Sequence, residues 1–327
     1  MKIGGGKNKP EFNLGVMKLD YCTAYKYLGS LQNEKNNMKD HIQALKGKVE
    51  AAYQTILAIT GNRTLSGIEM KSIWELLECT IIPIITYGCE VWNLNKTETK
   101  AINSLLDNII RRVLMTPQTT PREALYIETG LLDVETMIDI KRLNMMARLN
   151  REKSEMMAQV LSNPDCKWMT KTKEIMEKYS IEEYLLKGSA FESKSIINFA
   201  VNLVFMEKMK MSLENKSKLK FFLDGKKEWK PEESAEYMKK LTRKQASTIF
   251  KARTRMIKVK GNYKNGFNDL TCRACQCEPE TQSHVLYECE TITRKILEKR
   301  KTKETDNKNR EDNNNREDNN NLEDNNN

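Results

Sequence analysis

Histidine is almost missing from this chain of 327 residues: His41 and His284 are the only two. A Ser-His-Asp or Cys-His catalytic arrangement would have to use one of them, and no dyad partner is apparent around His41. Long apolar runs are missing too. The strongest, Thr80-Ile-Ile-Pro-Ile-Ile-Thr86, falls far short of the ~20 residues that span a bilayer, so no membrane role is expected. The N-terminus, Met1-Lys-Ile-Gly-Gly-Gly-Lys7, has no apolar core and does not read as a signal peptide. It also lacks the Gly-Lys-Ser/Thr ending of a phosphate loop, which leaves a flexible leader over 1–20. With no export signal, the eight cysteines are expected to be reduced thiols in the nucleus or cytoplasm. Aspartate never occurs as an adjacent pair.

What is abundant is positive charge. Lys plus Arg is 55 against 45 Asp plus Glu, a net +10. The tail repeats a hexad, Arg310-Glu-Asp-Asn-Asn-Asn, Arg316-Glu-Asp-Asn-Asn-Asn, Leu322-Glu-Asp-Asn-Asn-Asn. It carries a net −4, so the residues before it carry +14. A body this basic suits an anionic partner, and RNA or DNA is the commonest. The tail, nearly free of apolar residues, is expected to be disordered over 299–327.

Helical periodicity dominates the first half. Tyr25-Lys-Tyr-Leu-Gly-Ser30 reads as a short strand ending in a Gly-Ser turn. Met38, Ile42, Leu45, Val49, Ala52, Ile56 and Ile59 recur at spacings of three and four, one face of a helix. A second helix is expected after a capping box at Ser66-Gly-Ile-Glu69, through Met70, Ile73, Trp74, Leu77 and Ile81, broken or kinked at Pro83. A third spans about Thr97 to Met115. A short one is capped at Thr120-Pro121-Arg-Glu123 and stopped by Gly130, and a longer one starts at Asp133. Residues 21–150 thus read as an N-terminal strand and a helical bundle, and 151–240 as a basic helical connector containing a helix from Ser195 to Leu213. Leu241 to Lys260 reads as a basic amphipathic helix carrying Lys251, Arg253, Arg255, Lys258 and Lys260. It leads into a cysteine cluster, the two making one segment over 241–298. Trp74, Trp92, Cys22, Cys79, Cys89 and Cys166 are expected in the core, and His41 partly buried or at the surface.

The cluster is Cys272-Arg-Ala-Cys275-Gln-Cys277, followed by His284-Val-Leu-Tyr-Glu-Cys289. One tight turn can aim Cys272 and Cys275 at a common point. Three thiolates and one imidazole, from Cys272, Cys275, His284 and Cys289, form a closed tetrahedral set suited to structural Zn2+. Cys277 is the spare: it could replace Cys275 or stay a free thiol. Tyr263, Phe267 and Arg273 beside the cluster are candidates to contact bases.

Three stretches together resemble a known family. Tyr25-Lys-Tyr-Leu-Gly-Ser30, Leu65 to Trp92 with its Tyr87-Gly-Cys-Glu-Val-Trp92 ending, and Ile249-Phe-Lys-Ala-Arg-Thr-Arg-Met256 followed by the cysteine cluster resemble, in that order, the C-terminal part of the reverse transcriptase of a non-LTR (LINE-type) retrotransposon. The resemblance implies a strand at the end of the polymerase palm, thumb helices and a C-terminal zinc knuckle. It implies binding of RNA or DNA, with element RNA or target DNA as partners. In that family an aromatic–x–Asp-Asp turn holds two catalytic metal ions. This chain has no such pair and is expected to begin just after it, so it should not synthesise DNA alone. Two other readings fit the same residues: a thumb subunit acting with a palm fragment supplied in trans, and a helical protein-interaction module with a purely structural zinc.

Overall fold

The computed structural model describes residues 10–298 apart from 60–66, 153–154, 164, 188–189, 217–218, 220–221, 223–233 and 263–267. The protein is mainly α-helical, and the chain divides into two compact units, Met1–Thr254 and Arg255–Asn327. Residues 1–9 of the expected leader and the tail over 299–327 lie outside the described residues.

Two hairpins open the first unit. β1 (Asn13–Leu14) pairs antiparallel with β2 (Met17–Lys18), so part of the expected leader is a hairpin. β3 (Ala24–Tyr27) pairs with β4 (Ser30–Asn33), Tyr27 lying opposite Ser30. The turn expected at Gly29-Ser30 falls one residue earlier, and Ser30 opens a second strand. The chain instead reverses at Leu28 and Gly29, with φ of 44° and 85°, the two-residue loop whose twist matches that of the strands.

The helices follow the apolar spacing. α1 (Lys39–Ile59) buries Ile42, Leu45, Val49, Tyr53 and Ile56. α2 (Met70–Ile85) buries Met70, Ile73, Trp74, Leu77, Ile81 and Ile85. It continues through Pro83, whose missing N–H forgoes the helical bond to the Cys79 carbonyl; Thr86 closes the end by donating from N and Oγ1 to the Ile82 carbonyl (both 2.9 Å). The expected capping box is not what starts α2. Glu69 is the N-cap without a side-chain bond, and the Met70 N–H is satisfied by the distant Leu241 carbonyl (2.9 Å).

After a left-handed Gly88 and a short 3-10 turn (Cys89–Val91), α3 (Lys96–Val113) starts from a true capping box of Asn95 and Glu98. α4 (Arg122–Thr129) has Pro121 at its N-cap rather than inside its first turn. The capping box predicted there does not form, because both side chains have tertiary partners: Thr120 Oγ1 meets Thr116 Oγ1 (2.5 Å), and Glu123 accepts from Ser212 (2.6 Å) and Lys216. Gly130, at φ 74°, ends α4 as expected. Asp133 caps α5 (Val134–Glu152) by accepting from the Thr136 N–H (2.9 Å).

α6 (Glu155–Ser162), α7 (Lys167–Tyr179), α8 (Glu182–Lys187), α9 (Ala190–Glu214), α10 (Glu236–Lys240) and α11 (Arg243–Arg253) complete the first unit. Two apolar clusters hold it. The larger joins α1–α4 to Phe205, Met209 and Leu213 of α9 and to Ala246 and Phe250 of α11. The smaller joins Leu143 and Met146 of α5 to Ile175, Tyr179, Leu185 and Ile197. α5 and α9 pass through both, in opposite chain order. No helix among the described residues is long and apolar enough to cross a membrane.

Several core expectations need adjusting. Trp74 and Trp92 are buried. Of the four cysteines expected inside, only Cys89 is buried, its thiol pushed up to about 12 by desolvation; Cys22 and Cys79 are exposed and Cys166 is half-buried. His41 is fully buried. Its Nδ1 accepts the Leu31 N–H (3.1 Å) and its ring meets Trp92 edge-on at 5.2 Å. The basic helix ends at Arg253, not Lys260, because Arg255 turns out at φ 54°. It packs by Ala246 and Phe250 into the first unit's core, while the cysteine cluster lies in the second unit.

Candidate metal centre

The second unit is built around a loop that folds back on itself. Thr271 and Pro279 bridge two extended segments. Across the loop, the Cys272 N–H donates to the Glu278 carbonyl (2.7 Å) and the Gln276 N–H to the Cys272 carbonyl (2.9 Å), with Gln276 at φ 59°. A single π-helical turn, His284–Glu288, then brings His284 round and presents Cys289 at its end. Thr281 Oγ1 accepts the His284 N–H (3.1 Å) and anchors the start of that turn.

These turns gather Cys272, Cys275, His284 and Cys289 so that their ligand atoms all lie within 4.8 Å of one another. Cys272 Sγ is 4.0 Å from Cys289 Sγ, and Cys275 Sγ is 3.3 Å from His284 Nε2. A tetrahedral zinc with bonds of ~2.3 Å to sulfur and ~2.0 Å to nitrogen implies ligand separations of roughly 3.8 and 3.5 Å. The cluster therefore has the size and donor set to hold a metal ion. Cys272, Cys289 and His284 are buried and Cys275 is half-buried. Cys277 does not join them: its exposed thiol donates to the Cys275 carbonyl (3.1 Å).

The local backbone favours thiolates. The amides of Cys277 and Glu278 lower the Cys275 thiol to about 6. At Cys272 burial opposes ionisation, but the amides of Cys275 and Ala274 outweigh it and the pKa is lowered. Burial raises Cys289, and the hydrogen bond to Cys275 raises His284. Glu288 Oε2 stands 4.0 Å from His284 Nδ1, on the side away from the sulfurs.

One residue the sequence did not single out supports the loop. Glu280 is 3% exposed, yet its carboxylate accepts from the Arg273 side chain (2.8 and 2.5 Å), the Arg273 N–H (2.9 Å) and the Lys260 N–H (3.2 Å). Arg273 holds it at about 2. Gly261 passes so close that an added Cβ would lie 3.0 Å from the Glu280 carbonyl oxygen.

The cations proposed for nucleic-acid contact divide into groups. Arg273 is tied to Glu280 and the Lys258 carbonyl. Lys260 pairs with Asp269 (2.9 Å). Arg253 pairs with the buried Glu128 (3.0 Å) and lies over Phe222. Lys251 is half-buried, and Arg255 and Lys258 are exposed. Tyr263 and Phe267 lie outside the described residues.

No known family matches the chain, and no solved structure matches it. Over 106 residues it is 28% identical to a putative uncharacterized transposon-derived protein of Caenorhabditis elegans, a match covering 32% of this chain and 37% of that protein. The chain is thus similar, over about a third of its length, to a protein of transposon origin.

Proposed function

We propose that this chain is the thumb and zinc-knuckle part of a non-LTR (LINE-type) retrotransposon reverse transcriptase, and that it holds RNA or DNA without reading sequence. The observation that carries the reading is the Cys3His cluster, brought together in the unit that follows the helical one along the chain. The likeness to a transposon-derived protein supports a mobile-element origin. Three thiolates and an imidazole in a largely buried pocket suit zinc, and a fully ligated zinc supplies folding energy rather than an open position for water. The knuckle is then a staple. Binding is electrostatic: Lys and Arg side chains displace counterions from phosphates, with Tyr263 and Phe267 available for stacking. These residues carry no Asp-Asp pair, so copying requires carboxylates supplied by other residues, such as a palm in trans. The chain works where nucleic acid is found, in the nucleus or cytoplasm.

The test is fluorescence anisotropy with labelled single-stranded RNA and DNA, from about 50 to about 300 mM salt. The logarithm of the association constant should fall linearly with that of salt, by roughly 0.7 per phosphate contacted. The double variant Arg255→Ala/Lys258→Ala should reduce the slope by about 1.4. An affinity indifferent to salt rejects the reading. A second reading, a helical interaction module stapled by zinc, is favoured by the commitment of Arg253, Lys260 and Arg273 to internal ion pairs. Failure to bind any oligonucleotide at low salt, with the metal retained, selects it.

A further inference from the structure

A cleft of about 450 Å³ opens among α3, α5 and α7 of the first unit, within the ~300–1,000 Å³ typical of small-molecule sites. Its charged lining is uneven once each group's partner is assigned. Glu135 lies 3.3 Å from Lys208, and Asp139 accepts from Lys178 (2.8 Å) and the Tyr179 hydroxyl (2.7 Å). Both acids are thus matched by groups that do not line the cleft. Arg122 is matched by Asp107 (2.7 Å) and Asp133 (3.5 Å), and Lys171 by Glu174 (2.8 Å). The remaining cations are Lys96, Lys100 and Arg142, and none has an ion pair among the described residues.

Arg142 is the most costly of the three. It is 1% exposed. Its guanidinium donates only to neutral oxygens, the carbonyls of Trp92 and Trp168 and the side chain of Asn93, and its Nε has no acceptor. Trp92, also on the lining, keeps its buried indole N–H without an acceptor. The Asp139 carboxylate acts on Arg142 through space, without an ion pair, and is itself bonded to Lys178 and Tyr179; each orphaned donor costs about 1–3 kcal/mol. Each buried orphaned atom on the lining is a donor in want of an acceptor. Lys96 and Lys100 stand one turn apart on α3, at the positive end of its dipole.

The geometry points to an anion site: the cleft takes a small phosphate-bearing molecule of nucleotide size, gripped by Lys96 and Lys100, with Arg142 supplying the buried charge. Phosphate suits the site because its several oxygens can answer separate cations at once. This holds whether or not the chain binds nucleic acid.

The test is calorimetric titration of the full chain at low salt with ATP and with inorganic pyrophosphate. Both should bind one to one. Lys96→Ala/Lys100→Ala removes two exposed side chains and should weaken binding about tenfold or more, which is ~1.4 kcal/mol. Lys71→Ala, on α2 and outside the cleft, should change it less than about twofold. Arg142→Met should abolish binding, but because this buried arginine also braces the fold, the lysine pair is the deciding variant. Absence of binding by the unaltered chain overturns the proposal. So does an equal loss with Lys71→Ala, which would mark a diffuse field. Binding of an oligonucleotide but of neither ATP nor pyrophosphate overturns it too, placing the phosphate contact on a nucleic-acid backbone.

Discussion

Stripping the metal from the second unit should unfold that unit and leave the first intact. Besides its ligand cysteines, the buried apolar side chains of the described second unit are Met256 and Val259. At ~1.5–3 kcal/mol each they contribute about 3–6 kcal/mol, whereas a structural zinc contributes about 10–16 kcal/mol near neutral pH. The loop hydrogen bonds around Cys272 and the Glu280–Arg273 pair position the ligands but bury too little to replace the ion. The first unit needs no such help, since its larger cluster runs from Met38 to Phe250. The assay is hydrogen exchange by mass spectrometry, before and after chelation, with metal content counted on the intact native protein. One zinc per chain is expected. Its removal should cost residues 268–298 nearly all their protection and leave α2, α3 and α4 unchanged. Cys289→Ser should behave like the chelated protein, while Cys277→Ser should keep its zinc, because that thiol bonds to a carbonyl outside the cluster. Undiminished protection of 268–298 in demonstrably metal-free protein would refute the reasoning, as would loss of zinc from Cys277→Ser.

Other perturbations test the rest of the structure. Glu98 is buried and caps two helix starts, accepting the Met38 N–H (2.8 Å) with one oxygen and the Asn95 N–H (2.9 Å) with the other; Glu98→Ala should cost about 3 kcal/mol and Glu98→Gln about half that, in urea unfolding followed by tryptophan fluorescence. Burial, helped by Lys48, lowers the pKa of His41. The unfolded chain therefore takes up that proton first, and stability is full above about 6.5 and declines as pH falls toward the folded value. His41→Asn, which keeps an acceptor for Leu31, should flatten this decline between pH ~7.5 and ~5.5 in the same fluorescence assay. Gly261→Ala forces a Cβ against the backbone at Glu280 and Thr281; a cost of about 1 kcal/mol should appear as a roughly fivefold weaker hold on zinc in chelator competition.

The helices were legible because their signal is local. Spacings of three and four marked α1, α2 and α3, and Gly130 marked the end of α4. The ligand set was legible for the same reason: two thiolates one turn apart and one of only two histidines nearby leave few alternatives. The misread features depend on partners far away in the chain. Glu123 looked like a capping residue, but Ser212 and Lys216, about ninety residues on, claim its carboxylate. Glu69 yields the first amide of α2 to Leu241. Nothing in the spacing around Arg142, Glu128 or Glu280 announces a buried charge, since each is fixed by tertiary contacts that have no period.

The positive charge also distributes differently from its reading as one basic segment. Over 234–254 there are six Lys and Arg against the single acid Glu236, whereas over 255–298 there are seven against six. Three thiolates with one Zn2+ add a further −1, which leaves the knuckle close to neutral. An electrostatic hold on phosphates therefore extends beyond Arg255 and Lys258 to the segment that precedes the knuckle. Within α10 and α11 the charges are not equivalent either. Arg243 donates to the Val113 and Arg112 carbonyls (2.7 and 2.6 Å) and closes the C-terminal end of α3, and Arg253 neutralises Glu128. Lys239 and Lys240 share Glu236 at the surface, where such pairs are worth little and are easily exchanged for a phosphate. Lys244 is exposed. The arginines of this segment hold the fold, and under the proposed reading Lys239, Lys240 and Lys244 are the charges left for a phosphate.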